Sequence, residues 1–97
     1  MRPLPDGLVC YKKTPEFTEQ TMPPGLTRSH RTAAGVWGVI RVREGTLKYR
    51  ILPDPVEGAG KPEEHLLDPD RPGVIEPEVP HEVEAMGPVR FQVEFYR

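Results

Sequence analysis

The sequence predicts a small all-β protein, and three observations carry that expectation. Thirteen prolines and nine glycines punctuate a chain of 97 residues. Proline lacks a backbone donor and clashes with the preceding turn, which costs a helix interior about 3 kcal/mol. The one long proline-free window, Gly25 to Leu52, is itself broken by Gly35, Gly38 and Gly45. No helix of ordinary length fits, which excludes bundles, coiled coils and βαβ units. Second, apolar residues concentrate in two blocks, Val36 to Leu52 and Gly73 to Tyr96, and alternate there with polar ones as in half-buried strands. Third, Pro/Gly turns separate short strand-like stretches, the pattern of a small sandwich or barrel.

Leu8-Val9-Cys10-Tyr11 predicts a short strand near 8–12. Residues before a proline are pushed into extended conformation, so Thr14-Pro15 and Thr21-Met22-Pro23-Pro24 read as extended, with irregular or edge-strand structure over 17–22. Val36 to Leu52 reads as a β-hairpin about Glu44-Gly45, with Gly45 supplying the positive φ of the turn. That register sets Val42 opposite Leu47, Ile40 opposite Tyr49 and Gly38 opposite Ile51 on one core face. The other face places Arg43 against Thr46, Val39 against Arg50, and the like charges Arg41 and Lys48 together. Residues 53–72 hold five prolines and form a long acidic connection, with a brief strand at His65-Leu66-Leu67. Connections of that length are mobile or functional. A strand from Gly73 to Glu76, a corner from Pro77 to Pro80, a strand from His81 to Met86 and a Gly87-Pro88 turn follow. In the last strand Val89, Phe91, Val93 and Phe95 alternate with Arg90, Gln92, Glu94 and Tyr96.

A chain this short reads as one domain, 1–97. Its net charge of −2 is too balanced for a nucleic-acid or anionic-membrane binder. The single cysteine, Cys10, excludes an internal disulfide and a Cys-based zinc module and reads as a buried, inert strand residue. Without a signal-like or membrane-spanning apolar run, the expected location is cytoplasmic.

Three histidines are the first candidates for chemistry. His30 lies in the basic turn Arg28-Ser29-His30-Arg31, His81 follows the proline corner, and His65 reads as a solvated loop residue. A barrel that joins His30 and His81 to a carboxylate could ligate a divalent metal. The carboxylates near His81 are Glu76, Glu78, Glu82 and Glu84, with Glu94 in the last strand. Their alternative role is to neutralise Arg41, Arg50 or Arg90, and Glu94, between Val93 and Phe95, needs a partner if buried. Arg28 and Arg31 offer forked donors to a small oxyanion or form a solvated turn. Trp37 either packs as a cap or lines a ligand pocket. No activated nucleophile or phosphate-cradling glycine loop is present.

Tyr11-Lys12-Lys13-Thr14-Pro15-Glu16-Phe17-Thr18, His30-Arg31-Thr32-Ala33-Ala34-Gly35-Val36-Trp37-Gly38 with Glu44-Gly45, Ile75-Glu76-Pro77-Glu78-Val79-Pro80-His81 and the closing Phe91-Gln92-Val93-Glu94-Phe95-Tyr96 resemble the TehB/YeaR-like domain family, over roughly residues 8–97. The resemblance implies a small cupin-like barrel, the double-stranded β-helix or jelly-roll fold, and homodimerisation. Such domains occur alone and fused ahead of the methyltransferase of some tellurite-resistance proteins. Against the cupin pattern, His81 matches a ligand histidine and His30 is displaced by one or two residues. Gly38 and Ala85 stand where a Glu and an Asn ligand belong. The implied site is therefore reduced: His30 and His81 with Glu76, Glu78 or Glu94 around Zn, Fe, Mn or Ni. S-adenosylmethionine and nucleotides are not expected. One implied function is a binding or sensing module for a metal or small oxyanion, such as tellurite or a nitrogen oxyanion, in a stress response. The others are a metal-dependent enzyme acting on a small molecule and a structural partner domain.

Overall fold

Prolines and glycines cut the chain into short strands that stack as two antiparallel sheets. The computed structural model describes residues 1–53 and 60–97, so part of the acidic connection, 54–59, lies outside the described residues. The strands are β1 (Cys10–Lys13), β2 (Phe17–Thr18), β3 (Trp37–Glu44), β4 (Leu47–Ile51), β5 (Glu63–Leu67), β6 (Gly73–Ile75), β7 (His81–Ala85) and β8 (Arg90–Tyr96). The helical content among the described residues is one 3-10 turn, Pro24–Thr27, begun by a proline where the missing donor costs nothing. None of this is long and apolar enough to cross a membrane as a helix.

The first sheet runs β1-β8-β3-β6, with β2 also pairing β8, and the second runs β5-β4-β7. Among the described residues these sheets do not close into a barrel: β5 and β7 end one, β1 and β6 the other. The fold is all-β, and a two-sheet sandwich is its form.

The expected hairpin is the main correction. β3 pairs with β6 and β8, whereas β4 pairs with β5 and β7. The Glu44-Gly45 turn carries the chain from one sheet to the other instead of joining neighbours. The side-chain parity of the hairpin reading survives, because alternation depends on the strand and not on its partner. Ile40 and Val42 point inward from one sheet, and Leu47 and Tyr49 from the other, each at most 4% exposed. Arg41 and Lys48 accordingly never meet: Arg41 lies opposite Gln92, and Lys48 lies between Leu66 and Glu84.

Val89, Phe91 and Val93 complete the inner face of the first sheet, and Leu67 and Val83 that of the second. The brief strand at His65-Leu66-Leu67 exists and begins earlier, at Glu63; His65 is thus a strand residue whose Nε2 meets Glu63 Oε2. Cys10 is half-buried rather than buried, with Sγ 3.6 Å from Lys12 O.

Candidate functional site

Between the sheets, at the end where β7 begins, lies a cavity of about 140 Å3. Ile40, Ile75, Phe91, Val93 and Phe95 form its wall on the first sheet, and Val83 faces them from β7. Phe17, Pro23 and Leu26, from the proline-rich segment before β3, lie over it. The polar lining residues are Thr14, Thr32, His30 and His81.

His81 owes its place to the backbone around the proline corner. Pro77 precedes Glu78, whose φ of 61° is left-handed, and Val79 N bonds back to Glu76 O at 3.4 Å. Glu78 N donates to Thr32 O at 3.1 Å, and Leu52 N to Pro80 O at 2.9 Å. His30 and His81 then exchange both backbone bonds, at 2.9 and 2.8 Å. This clamps the two histidines together, 51 positions apart in sequence, with ring centroids 5.3 Å apart and edge-on at 82°. The expectation that these histidines meet is correct.

Their environments differ. His30 is exposed at the rim, whereas His81 is 4% exposed. His81 Nδ1 lies 3.0 Å from Val79 O. A carbonyl only accepts, so Nδ1 carries the proton and Nε2 keeps its lone pair. Burial pushes the His81 imidazole below the usual histidine range; the charge of His30 works the same way, against the Val79 hydrogen bond. The unfolded chain therefore takes up a proton at His81 before the folded chain does. Stability from this group is complete above the ordinary histidine value and falls as pH drops from there toward the lowered folded value. We expect urea midpoints to decline across that window, and His81→Gln to flatten this part of the profile. A wild-type midpoint that stays level through the window contradicts the buried neutral imidazole.

The other expected site residues do not join this pair. Glu94 alternates with Val93 and Phe95, which line the cavity, so it faces away from it. It is 7% exposed and is met by Arg41 Nε at 3.0 Å, Tyr96 OH at 3.0 Å and Lys13 Nζ at 3.7 Å. Burial works to raise its carboxyl, but the hydrogen bonds from Arg41 and Tyr96 and the charges of Arg41 and Lys13 win and hold it below the usual range. Its role is the neutralising one. Glu76 pairs with Arg2 at 3.4 Å, and Glu78 is exposed on the corner. Among the described residues no group of three or more His, Cys, Asp or Glu comes together that could hold a metal ion. The expected His30–His81–Glu76–Glu94 metal site is thus not assembled, because parity sends Glu94 to the opposite face and an ion pair occupies Glu76. Trp37 lies opposite Tyr96, on that same outer face. It does not line the cavity, and Arg28 and Arg31, though exposed near the rim, do not either. The sequence pattern does not point to Phe17, Leu26 and Thr32, which also line the cavity. Their one signal is apolar residues and a threonine in a segment otherwise too broken to form long strands.

Fold and cavity together define a small all-β sandwich domain with a histidine-bearing space between its sheets. The chain belongs to the TehB-like domain family, whose model matches residues 12–93. Over 80 residues it is 34% identical to a Haemophilus influenzae (strain KW20 / Rd) protein named probable S-adenosyl-L-methionine-dependent methyltransferase TehB, covering 81% of this chain and 27% of that one. The crystal structure of TehB from Haemophilus influenzae matches with a TM-score of 0.82 and 31% identity, over 94% of this chain and 32% of that chain. A crystal structure of a protein from Escherichia coli (strain K12) matches with a TM-score of 0.87 and 27% identity, over 100% of this chain and 97% of that one. The chain thus spans under a third of the length of the TehB relatives. Their name corrects the cofactor expectation: it points to S-adenosylmethionine, not to a divalent metal without it.

Proposed function

We propose that this chain is a small-molecule-binding domain in S-adenosylmethionine-dependent methylation, holding the molecule that accepts the methyl group. The observation that carries this reading is the cavity of about 140 Å3 between the sheets, apolar apart from its histidines and threonines. Its volume is close to that of an apolar cavity of about 150 Å3 that binds benzene. Pockets of this kind bury a ligand's apolar body and orient it with a few polar groups. Support for the reaction comes from the relatives' name and from length. The domain makes up about a quarter of those methyltransferases, and in this reading it gathers the acceptor while the remainder carries out the transfer.

A second reading has its own observation. Arg28 and Arg31 flank His30, and both are exposed. Paired guanidinium groups suit a small oxyanion, tellurite or a nitrogen oxyanion among them, bound at the rim instead of inside.

One titration tests both. Amide spectra of 15N-labelled protein are followed with phenol and, separately, with tellurite. Phenol is expected to move His81, Val83 and Phe91, which line the cavity. Tellurite shifts confined to residues 28–31 support the rim reading. A cavity silent to phenol at millimolar concentration overturns the first reading, and a rim silent to tellurite overturns the second.

A further inference from the structure

We infer that the cavity, taken as the binding site proposed above, selects an uncharged molecule that presents a hydrogen-bond donor to His81 Nε2: an X–H group, such as an alcohol, phenol or thiol, on an apolar body. The buried polar groups of the lining carry this, since His30, the fourth polar residue there, is exposed at the rim. Thr14 Oγ1 donates to Pro15 O at 2.8 Å and accepts from Val93 N at 3.0 Å. Thr32 Oγ1 donates to Val36 O at 2.8 Å. Both hydroxyl protons are therefore committed to the protein, and neither threonine has a donor to offer a ligand. His81 Nδ1 is committed to Val79 O. Among the described residues no partner meets His81 Nε2. His81 is itself 96% buried and lines the cavity. What it offers there is a lone pair. A ligand that brings only acceptors meets a lone pair with a lone pair, and an anion does so inside an apolar wall, where an unpaired charge is costly.

The same feature separates a methyl acceptor from its product. In methyl transfer the S–CH3 bond of a sulfonium donor breaks, the X–CH3 bond forms, and the X–H proton passes to water. The product has lost the hydrogen that Nε2 accepts, so the cavity holds the acceptor before transfer and releases it afterwards.

Isothermal titration of the whole chain with phenol, toluene and benzoate tests the selection. Toluene is phenol with a methyl group in place of the hydroxyl, at nearly the same size. Phenol is expected to bind roughly three- to tenfold more tightly than toluene, the effect of one neutral hydrogen bond. Benzoate is expected to bind more weakly than either. His81→Phe should remove the preference while keeping toluene binding. In the unmutated protein the Nε2 nitrogen resonance should move with phenol and not with toluene, a readout that stands if the variant fails to fold. Equal affinity for phenol and toluene overturns the donor requirement and leaves the binding cavity standing. Benzoate as the tightest ligand overturns the requirement for an uncharged molecule. If no probe binds, the cavity is not a ligand site and the reading beneath this one fails with it.

Discussion

Replacing Gly45 with alanine is expected to destabilise the protein by roughly 3–5 kcal/mol, the combined cost of a strained backbone and an overpacked contact. Gly45 has φ 81°, a left-handed conformation that costs an L-residue about 1–2 kcal/mol. A Cβ there would also lie 2.1 Å from Pro88 O and 3.1 Å from Val89 Cα. Both are backbone atoms, and neither can rotate away. Gly35 is the internal control: its φ is 75°, but an added Cβ meets nothing within 4 Å. Gly35→Ala should therefore lose only the conformational part. Gly45→Asn distinguishes the sandwich turn from a hairpin turn. Asparagine is accepted at positive φ in hairpins, yet here its Cβ meets the same carbonyl, so it should fail nearly as badly as alanine. Urea midpoints for the three variants decide the matter. Equal losses at Gly35 and Gly45 would show that the Pro88 contact is not what excludes a side chain.

The second large effect is expected at Tyr49, which ties the sheets together. It is 1% exposed on β4 of the second sheet, and its hydroxyl donates at 2.9 Å to Val74 O, on β6 of the first. Burial, followed by the charges of Glu76 and Glu63, raises its phenol well above the usual value. The hydroxyl stays protonated and remains a donor. Tyr49→Phe should cost roughly 1–3 kcal/mol, because it leaves the carbonyl without its partner. Tyr49→Ala should cost roughly 3–5 kcal/mol, because it also opens a cavity beside Gly73 and His81. Paired denaturation curves separate the hydrogen bond from the packing. A Tyr49→Phe variant as stable as the parent would mean that the inter-sheet bond contributes nothing. Absorbance at alkaline pH adds a second check: the Tyr49 phenol should ionise only as the protein unfolds.

The candidate site was legible in proportion to how local its causes are. His81 stood out because a proline corner delivers it to a strand start, and that corner does hold it, through Glu78, Pro80 and the exchange with His30. The inward direction of His81 follows from its alternation with Val83, and the outward direction of Glu94 from its alternation with Val93 and Phe95. Read strictly, that alternation would have excluded Glu94 from any site inside the sheets. The placement of Phe17, Pro23 and Leu26 over the cavity was not legible. Phe17 meets Phe91 with ring centroids 5.7 Å apart, across 74 positions of sequence, and no local pattern announces such a contact.

By itself the sequence determined the all-β class and the alternation of inward and outward residues along the strands of the two apolar blocks. Proline forbids the helix at its own position, and alternation follows from the pleat of a single strand. Those causes act within a few residues. Tertiary structure alone decided which strands pair. Val36 to Leu52 satisfies the same alternation as a hairpin in one sheet or as two strands in opposed sheets, and the inward residues are identical in both. Distant partners settle the choice: β8 and β6 claim the edges of β3, while β5 and β7 claim those of β4. The same long-range pairing separates the sheets and brings His30 against His81, so the cavity between them belongs to the tertiary fold. The prolines and the alternation define the inner faces that it lies between.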